Sequence, residues 1–106
     1  MSRAVVVHAE AAAELEAAAI WYDDQLAGLG LRVLAAVDRA IQHARAWPHA
    51  GAPVEGLSAD LALRRVPVSG FPYHVAYLTH EEAIHILAIA HAHRRPGYWK
   101  DRAGPG

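Results

Sequence analysis

Two stretches with helical spacing of apolar residues are separated by only Gly28-Leu29-Gly30, and that break constrains the fold of this chain more than any other feature. From Glu10 to Leu26, the residues Leu15, Ala18, Ala19, Tyr22 and Leu26 recur along one stripe. From about Leu31 to Trp47 the stripe is Leu34, Val37, Ile41 and Ala44, while Arg32, Arg39 and His43 lie on another face. The glycines stop the first helix and Pro48 ends the second. Helices joined by so few residues pack as an antiparallel hairpin. Acidic residues in the first turns of the leading helix suit its positive dipole end, although no good N-cap side chain precedes them.

The remaining segments read as strands. Arg3 to His8 is short and β-branched. Pro48 to Asp60 holds two Pro and two Gly and reads as a loop. Leu61 to Val68 alternates weakly, with adjacent Arg64 and Arg65 pointing to opposite faces. Ser69-Gly70-Phe71-Pro72 is a turn, Tyr73 to Thr79 a strand, His80-Glu81-Glu82 a polar turn, and Ala83 to His93 the last long strand. Short links between these strands imply an antiparallel meander. The predicted architecture is α+β, in the order β-α-α-β-β-β. It is an antiparallel sheet, joined by the first strand, with the α-helical hairpin packed on one face.

With 106 residues, this is one domain, residues 1–106, with a core over about 3–93 and a tail at 94–106. The absence of Cys excludes disulfides, thiolate metal sites and thiol chemistry. The opening residues have no signal-peptide pattern and no apolar run is long enough to span a bilayer, so a cytoplasmic location without membrane contact is the expectation. The net charge of -1 does not suit a protein that coats nucleic acid non-specifically. Charge is nevertheless polarised. Between Arg3 and Arg32 the only charges are Glu10, Glu14, Glu16, Asp23 and Asp24, while Arg94 to Arg102 is nearly all positive. That tail, Arg94-Arg95-Pro96-Gly97-Tyr98-Trp99-Lys100-Asp101-Arg102, combines cations with rings and suits phosphate, nucleic acid or an acidic protein partner.

Three segments together give the chain a family resemblance. They are Ala18-Ala19-Ile20-Trp21-Tyr22-Asp23-Asp24 with Leu29-Gly30-Leu31; Arg65-Val66 with Phe71-Pro72-Tyr73-His74-Val75-Ala76-Tyr77; and Ile86, Ala88 to His91, then Arg94, Arg95, Pro96, Tyr98, Trp99 and Arg102. In order and spacing the chain resembles the RelE/ParE superfamily of type II toxin–antitoxin toxins, often called plasmid stabilisation proteins. The resemblance implies a growth-arresting toxin with a cognate antitoxin protein as partner. The antitoxin is expected to cover the helical hairpin or extend a sheet edge.

The resemblance leaves two targets. ParE-like members poison DNA gyrase without known hydrolytic chemistry. RelE-like members cleave mRNA on the ribosome, which needs a base, a phosphorane-stabilising cation and an acid. If the chain is such a ribonuclease, the matching positions make Arg65, His74, Arg94 and Tyr98 its catalytic residues. His74 then stands where the family places an arginine, and Lys100 is the only lysine. Trp21-Tyr22 and the early Gly28-Leu29-Gly30 turn look more like the ParE branch, which is the favoured reading. In that reading Arg94, Arg95, Tyr98, Trp99 and Arg102 bind the target. A third reading is a weakly toxic antitoxin-binding module.

No cofactor is implied. His85 and His91 share a strand face but lie about 20 Å apart when extended, so they cannot share a metal ion, and no metal site is expected. His91 is expected to hydrogen-bond and locate the tail. Trp21, Tyr22 and Trp47 are expected in the core or at hairpin contacts.

Overall fold

A computed structural model describes residues 3–54, 63–95 and 97–103 of the chain. Its elements run β1 (Ala4–Val7), α1 (Ala9–Gln25), α2 (Leu29–Ala46), β2 (Ala52–Pro53), β3 (Arg64–Pro67), β4 (Tyr73–His80), β5 (Ala83–His91) and a 3-10 helix (Lys100–Ala103). The five strands form one sheet in the order β1-β5-β4-β3-β2. The α+β class and the β-α-α-β-β-β order hold, with three differences. The sheet is mixed, because β1 pairs with β5 in parallel. A two-residue strand, β2, pairs Ala52 with Arg65 inside the stretch read as a loop. The last strand ends at His91, since Arg94 N–H donates back to His91 C=O (3.0 Å) and turns the chain. Of the weakly alternating segment, Leu61 and Ala62 lie outside the described residues, as do Pro96 and 104–106 of the tail.

The hairpin follows from its break. Gly28 takes a left-handed conformation (φ 96°) that a side chain would resist. Gly30 lets the helices approach, because a Cβ there would meet Ala19 C=O at 2.7 Å. Asp23, near the end of α1, accepts hydrogen bonds from Gly28 N–H (3.0 Å) and Gly30 N–H (3.1 Å). A side chain of the first helix thereby satisfies an orphan donor at the start of the second, where Gly28 has no cap of its own.

Between helices and sheet lies the main core: Ala11 and Ala18 of α1, Val33, Ala36, Val37, Ala40, Ile41 and Ala44 of α2, and the strand residues that point toward them, among them Val66, Val75, Ile84, Ile86 and Ile89. Tyr22 joins it beside Phe71 (ring centroids 5.1 Å apart) and Tyr73. Trp21 and Trp47 do not: they are 56% and 65% exposed. Trp21 is rotated about 100° around the helix from Tyr22, which takes it off the core stripe. Trp47 lies at the C-cap of α2, beyond the last helical residue.

A second cluster covers the opposite face of the sheet, made of Leu63, Ala76, Leu87, Ala88, Ala90 and Trp99. A bulge creates part of it. Tyr77 pairs with Ile86 and Ala76 with Ala88, so Leu87 is the extra residue of β5. Ile86 faces the helices, and Leu87 and Ala88 then both face away from them. The alanines leave room for an indole. No described helix is long and apolar enough to cross a membrane.

Replacing Asp23 by Ala removes the cross-helix cap and is expected to cost about 1 kcal/mol. Denaturant unfolding of D23A checks this; an unchanged midpoint contradicts the assignment.

Candidate functional site

The tail that the sequence marks as chemically rich is docked, and the group that docks it is a carboxylate of α1. β1 has four residues and β5 nine, so β1 leaves the second half of β5 uncovered. His8 N–H still donates to Ile86 C=O (3.0 Å), and the chain then turns into α1. Beyond that point the edge of β5 has lost its partner strand. Glu14 takes its place, its Oε1 accepting from Ile89 N–H at 3.1 Å. Arg102 donates through Nη1 both to Leu87 C=O (3.0 Å) and to Glu14 Oε1 (2.8 Å). Its Nη2 reaches Glu14 Oε2 at 3.4 Å and its Nε lies 3.8 Å from Glu10 Oε2. Tyr98 O–H donates to Glu14 Oε2. One side chain from the tail, Arg102, and one from α1, Glu14, thus complete a strand edge that would otherwise leave polar backbone groups unpaired, and Tyr98 holds the same carboxylate.

This environment fixes the chemistry of Tyr98. Burial, then its hydrogen bond to Glu14 and the carboxylate charge, outweigh Arg94 and Arg102 and push the phenol to about 12. The Arg94 guanidinium lies 4.0 Å from the centre of the Tyr98 ring, a cation–π contact that leaves Arg94 exposed. Trp99 follows on the chain and is 1% exposed, packed on the alanine floor of the outer sheet face.

The ribonuclease candidates fall into two groups. Arg65 and His74 belong together on neighbouring strands, opposite Ala76 and Ala90 respectively. Burial, then the Arg65 charge, holds His74 below its ordinary value. Arg94 and Tyr98 form the other group, with Arg102 and Glu14. No hydrogen bond or ion pair joins the groups among the described residues. Of the target-binding candidates, Arg94 and Arg95 are exposed, Tyr98 is half-buried, Trp99 is buried and Arg102 is paired to carboxylates. His91 helps to locate the tail: its Nδ1 accepts from His93 N–H (3.0 Å) and its ring packs 5.1 Å from that of Tyr73.

Glu14 escaped the sequence reading, which gave the acids of the first turns only to the positive end of the helix dipole. A signal existed in the helical pattern. Glu14 lies one turn before Ala18 and three residues after Ala11, at the margin of the buried stripe, where a carboxylate needs a partner.

Two predictions concern the dock. Glu14→Ala leaves Arg102 and Tyr98 without their acceptor and is expected to cost about 3 kcal/mol. It should also shift Trp99 emission to the red as the indole meets water; a native melt with unchanged emission contradicts the dock. The pH profile should fall at both ends. Tyr98 has its folded pKa raised, so its contribution is complete below about 10 and is lost as the pH climbs toward about 12. Tyr98→Phe should reduce the alkaline loss, and Tyr73 and Tyr77, which burial also raises, keep the rest. His74 and His85 have theirs lowered, by burial and then by Arg65 in the first case and by burial, His8 and His80 in the second. Their contributions are present above pH 6.5 and fall away as the pH drops through the depressed folded values. His74→Gln with His85→Gln should flatten the acid limb of a stability profile.

No family model matches the chain, and no curated protein matches it. A solved structure does. The chain superposes with a TM-score of 0.70 on a chain of the structure titled "Chromosomal ParDE TA system from P. aeruginosa", covering 84% of this chain and 95% of that one at 17% identity. The fold of this chain is therefore the fold found in that toxin–antitoxin structure, in agreement with the RelE/ParE resemblance of its sequence.

Proposed function

We propose that this chain is the toxin half of a type II toxin–antitoxin pair, that it acts in the cytoplasm, and that it arrests growth by poisoning DNA gyrase. The observation that carries the toxin reading is the match of nearly the whole fold to a chain of a ParDE structure. The choice of target rests on the site. General acid work needs a proton donor with a pKa near the working pH. The Tyr98 phenol is pushed to about 12 and bound to a carboxylate. Burial and then the Arg65 charge hold His74 below its ordinary value, which makes it a poorer cation than the arginine of the family pattern. The charge of Arg102 is offset by Glu14 and Glu10. The candidate cations that remain exposed are Arg65 on β3 and the pair Arg94 and Arg95 at the start of the tail, and the pair is read as a contact surface and not a hydrolytic centre.

The antitoxin belongs on the outer side of the hairpin. Ile20, Leu31 and Leu34 are 55%, 74% and 38% exposed there. They line a shallow groove of about 230 Å³ with Ala19, Asp23 and Gly30. An apolar helix face seated in that groove covers surface that a lone domain of this size leaves wet.

Pulse labelling after induction of the chain alone in a bacterial host tests the reading. Thymidine incorporation is expected to stop before methionine incorporation. If methionine incorporation stops first, the ribosome is the target and Arg65, His74, Arg94 and Tyr98 become the site to examine. Arg94→Ala with Arg95→Ala should abolish arrest and leave the melting temperature within a few degrees of the parent, as exposed substitutions do. Full arrest by that variant excludes the tail as the target-binding surface.

A further inference from the structure

The side of α2 that faces away from α1 carries a stripe that neither the tail nor the hairpin face uses. Arg32, Arg39 and His43 are spaced seven and four residues apart, so they stand in one row of the helix, and all three are exposed. Among the described residues, none has a carboxylate within ion-pair distance; the ion pairs there involve His80 and Arg102 only. The acids of α1 lie on the other helix. Beside the stripe runs a groove of about 570 Å³ between α2 and the outer edge of β3. Arg39 and His43 line it from the helix. Its floor is small and apolar: Ala36 and Ala40 of α2, Ala50 and Ala52 of the opposite wall, and Val66 and Pro67 of β3.

The wall is held in place without a ligand. Tyr77 O–H donates to Pro48 C=O (2.8 Å) in a buried bond, and Arg64 Nη1 donates to Gly51 C=O (2.7 Å). Gly51 packs so closely on the Tyr77 hydroxyl that a Cβ has no space. The groove is preformed, which lowers the ordering cost of filling it.

From this we infer that the groove receives an acidic amphipathic helix of a protein partner, its small apolar face on the alanine floor and its carboxylates on Arg32, Arg39 and His43. Three features select that occupant. An extended strand finds little purchase, because Pro53 and Pro67 at this edge have no N–H to give. Nucleic acid finds no Phe, Tyr or Trp ring in the lining on which to stack a base, and the lining carries only three basic side chains, Arg39, His43 and Arg65. The alanine floor admits a helix closely. The row from Arg32 to His43 is about 16 Å long, which matches a partner segment of about three turns. This surface is separate from the proposed antitoxin groove, and the inference does not depend on the toxin reading.

Fluorescence anisotropy with the full chain tests it. The probe is a labelled amphipathic peptide of about 15 residues, with Ala and Leu on one face and Glu at four- and seven-residue spacings on the other. The control peptide carries Lys in place of each Glu, and a single-stranded RNA of similar length is the third probe. The acidic peptide is expected to bind about tenfold or more tightly than the basic one at low salt, and to weaken as salt rises. Arg32→Glu with Arg39→Glu should weaken it by a further tenfold or so while the thermal melt stays that of the parent, since both residues are exposed. Equal binding of the two peptides, binding of neither, or an acidic-peptide affinity untouched by the double variant overturns the inference. RNA binding tighter than the peptide, and lost in the same variant, overturns it in favour of a phosphate-chain site.

Discussion

The carboxylate of Glu14 holds three parts of the molecule that the chain supplies far apart. It sits on α1, completes the hydrogen bonding of β5 at Ile89, and fixes Tyr98 and Arg102 of the tail, which are 84 and 88 residues away in sequence. The short first strand makes this necessary. β1 covers β5 from Ala83 to Ile86 and then gives way to the helix. A sheet edge left bare at that point exposes unpaired donors and acceptors and invites another chain to pair there. One acid and one guanidinium close it, and the indole of Trp99, adjacent to Tyr98, is drawn onto the sheet by the same link.

That arrangement changes the meaning of the basic tail. A run of cations and rings in a sequence suggests an open surface for phosphate or protein. Once folded, the ring of Trp99 is core, Tyr98 is a donor to a carboxylate, and Arg102 is an internal ion pair. Of the five target-binding candidates, the dock leaves Arg94 and Arg95 exposed. A phenol pushed to about 12 by burial and an acceptor carboxylate holds its proton through the whole physiological range.

The two sides of α2 serve different surfaces. Toward α1 the helix approaches closely through Gly30 and shares the Asp23 cap, leaving Leu31 and Leu34 on an apolar outer groove. Toward β3 it lays Arg39 and His43 beside a floor of alanines. Alanine therefore does more in this chain than raise helix propensity. On the sheet it makes room for Trp99, and along α2 it opens a groove.

Sequence alone determined the order of the helices and long strands, the helical hairpin and its break, the turns at Ser69–Pro72 and Glu81–Glu82, and the buried Val37, Ile41 and Ala44 of α2, whereas Leu26 and Leu34 of the predicted stripes are exposed and His80 belongs to β4. These are local matters, set by periodicity of 3.6 or 2 and by glycine and proline at the breaks. The three-dimensional arrangement alone decided that β1 lies parallel beside β5, that Leu87 bulges, that Trp99 is buried while Trp21 and Trp47 are exposed, and that Glu14 is a structural acceptor and not one more surface acid. The physical reason is the same in each case. A residue's periodicity reports which side of its own element it occupies, but its partner across the fold is set by where the other elements end. Four residues of β1 against nine of β5 left a place for Glu14 that no local pattern records.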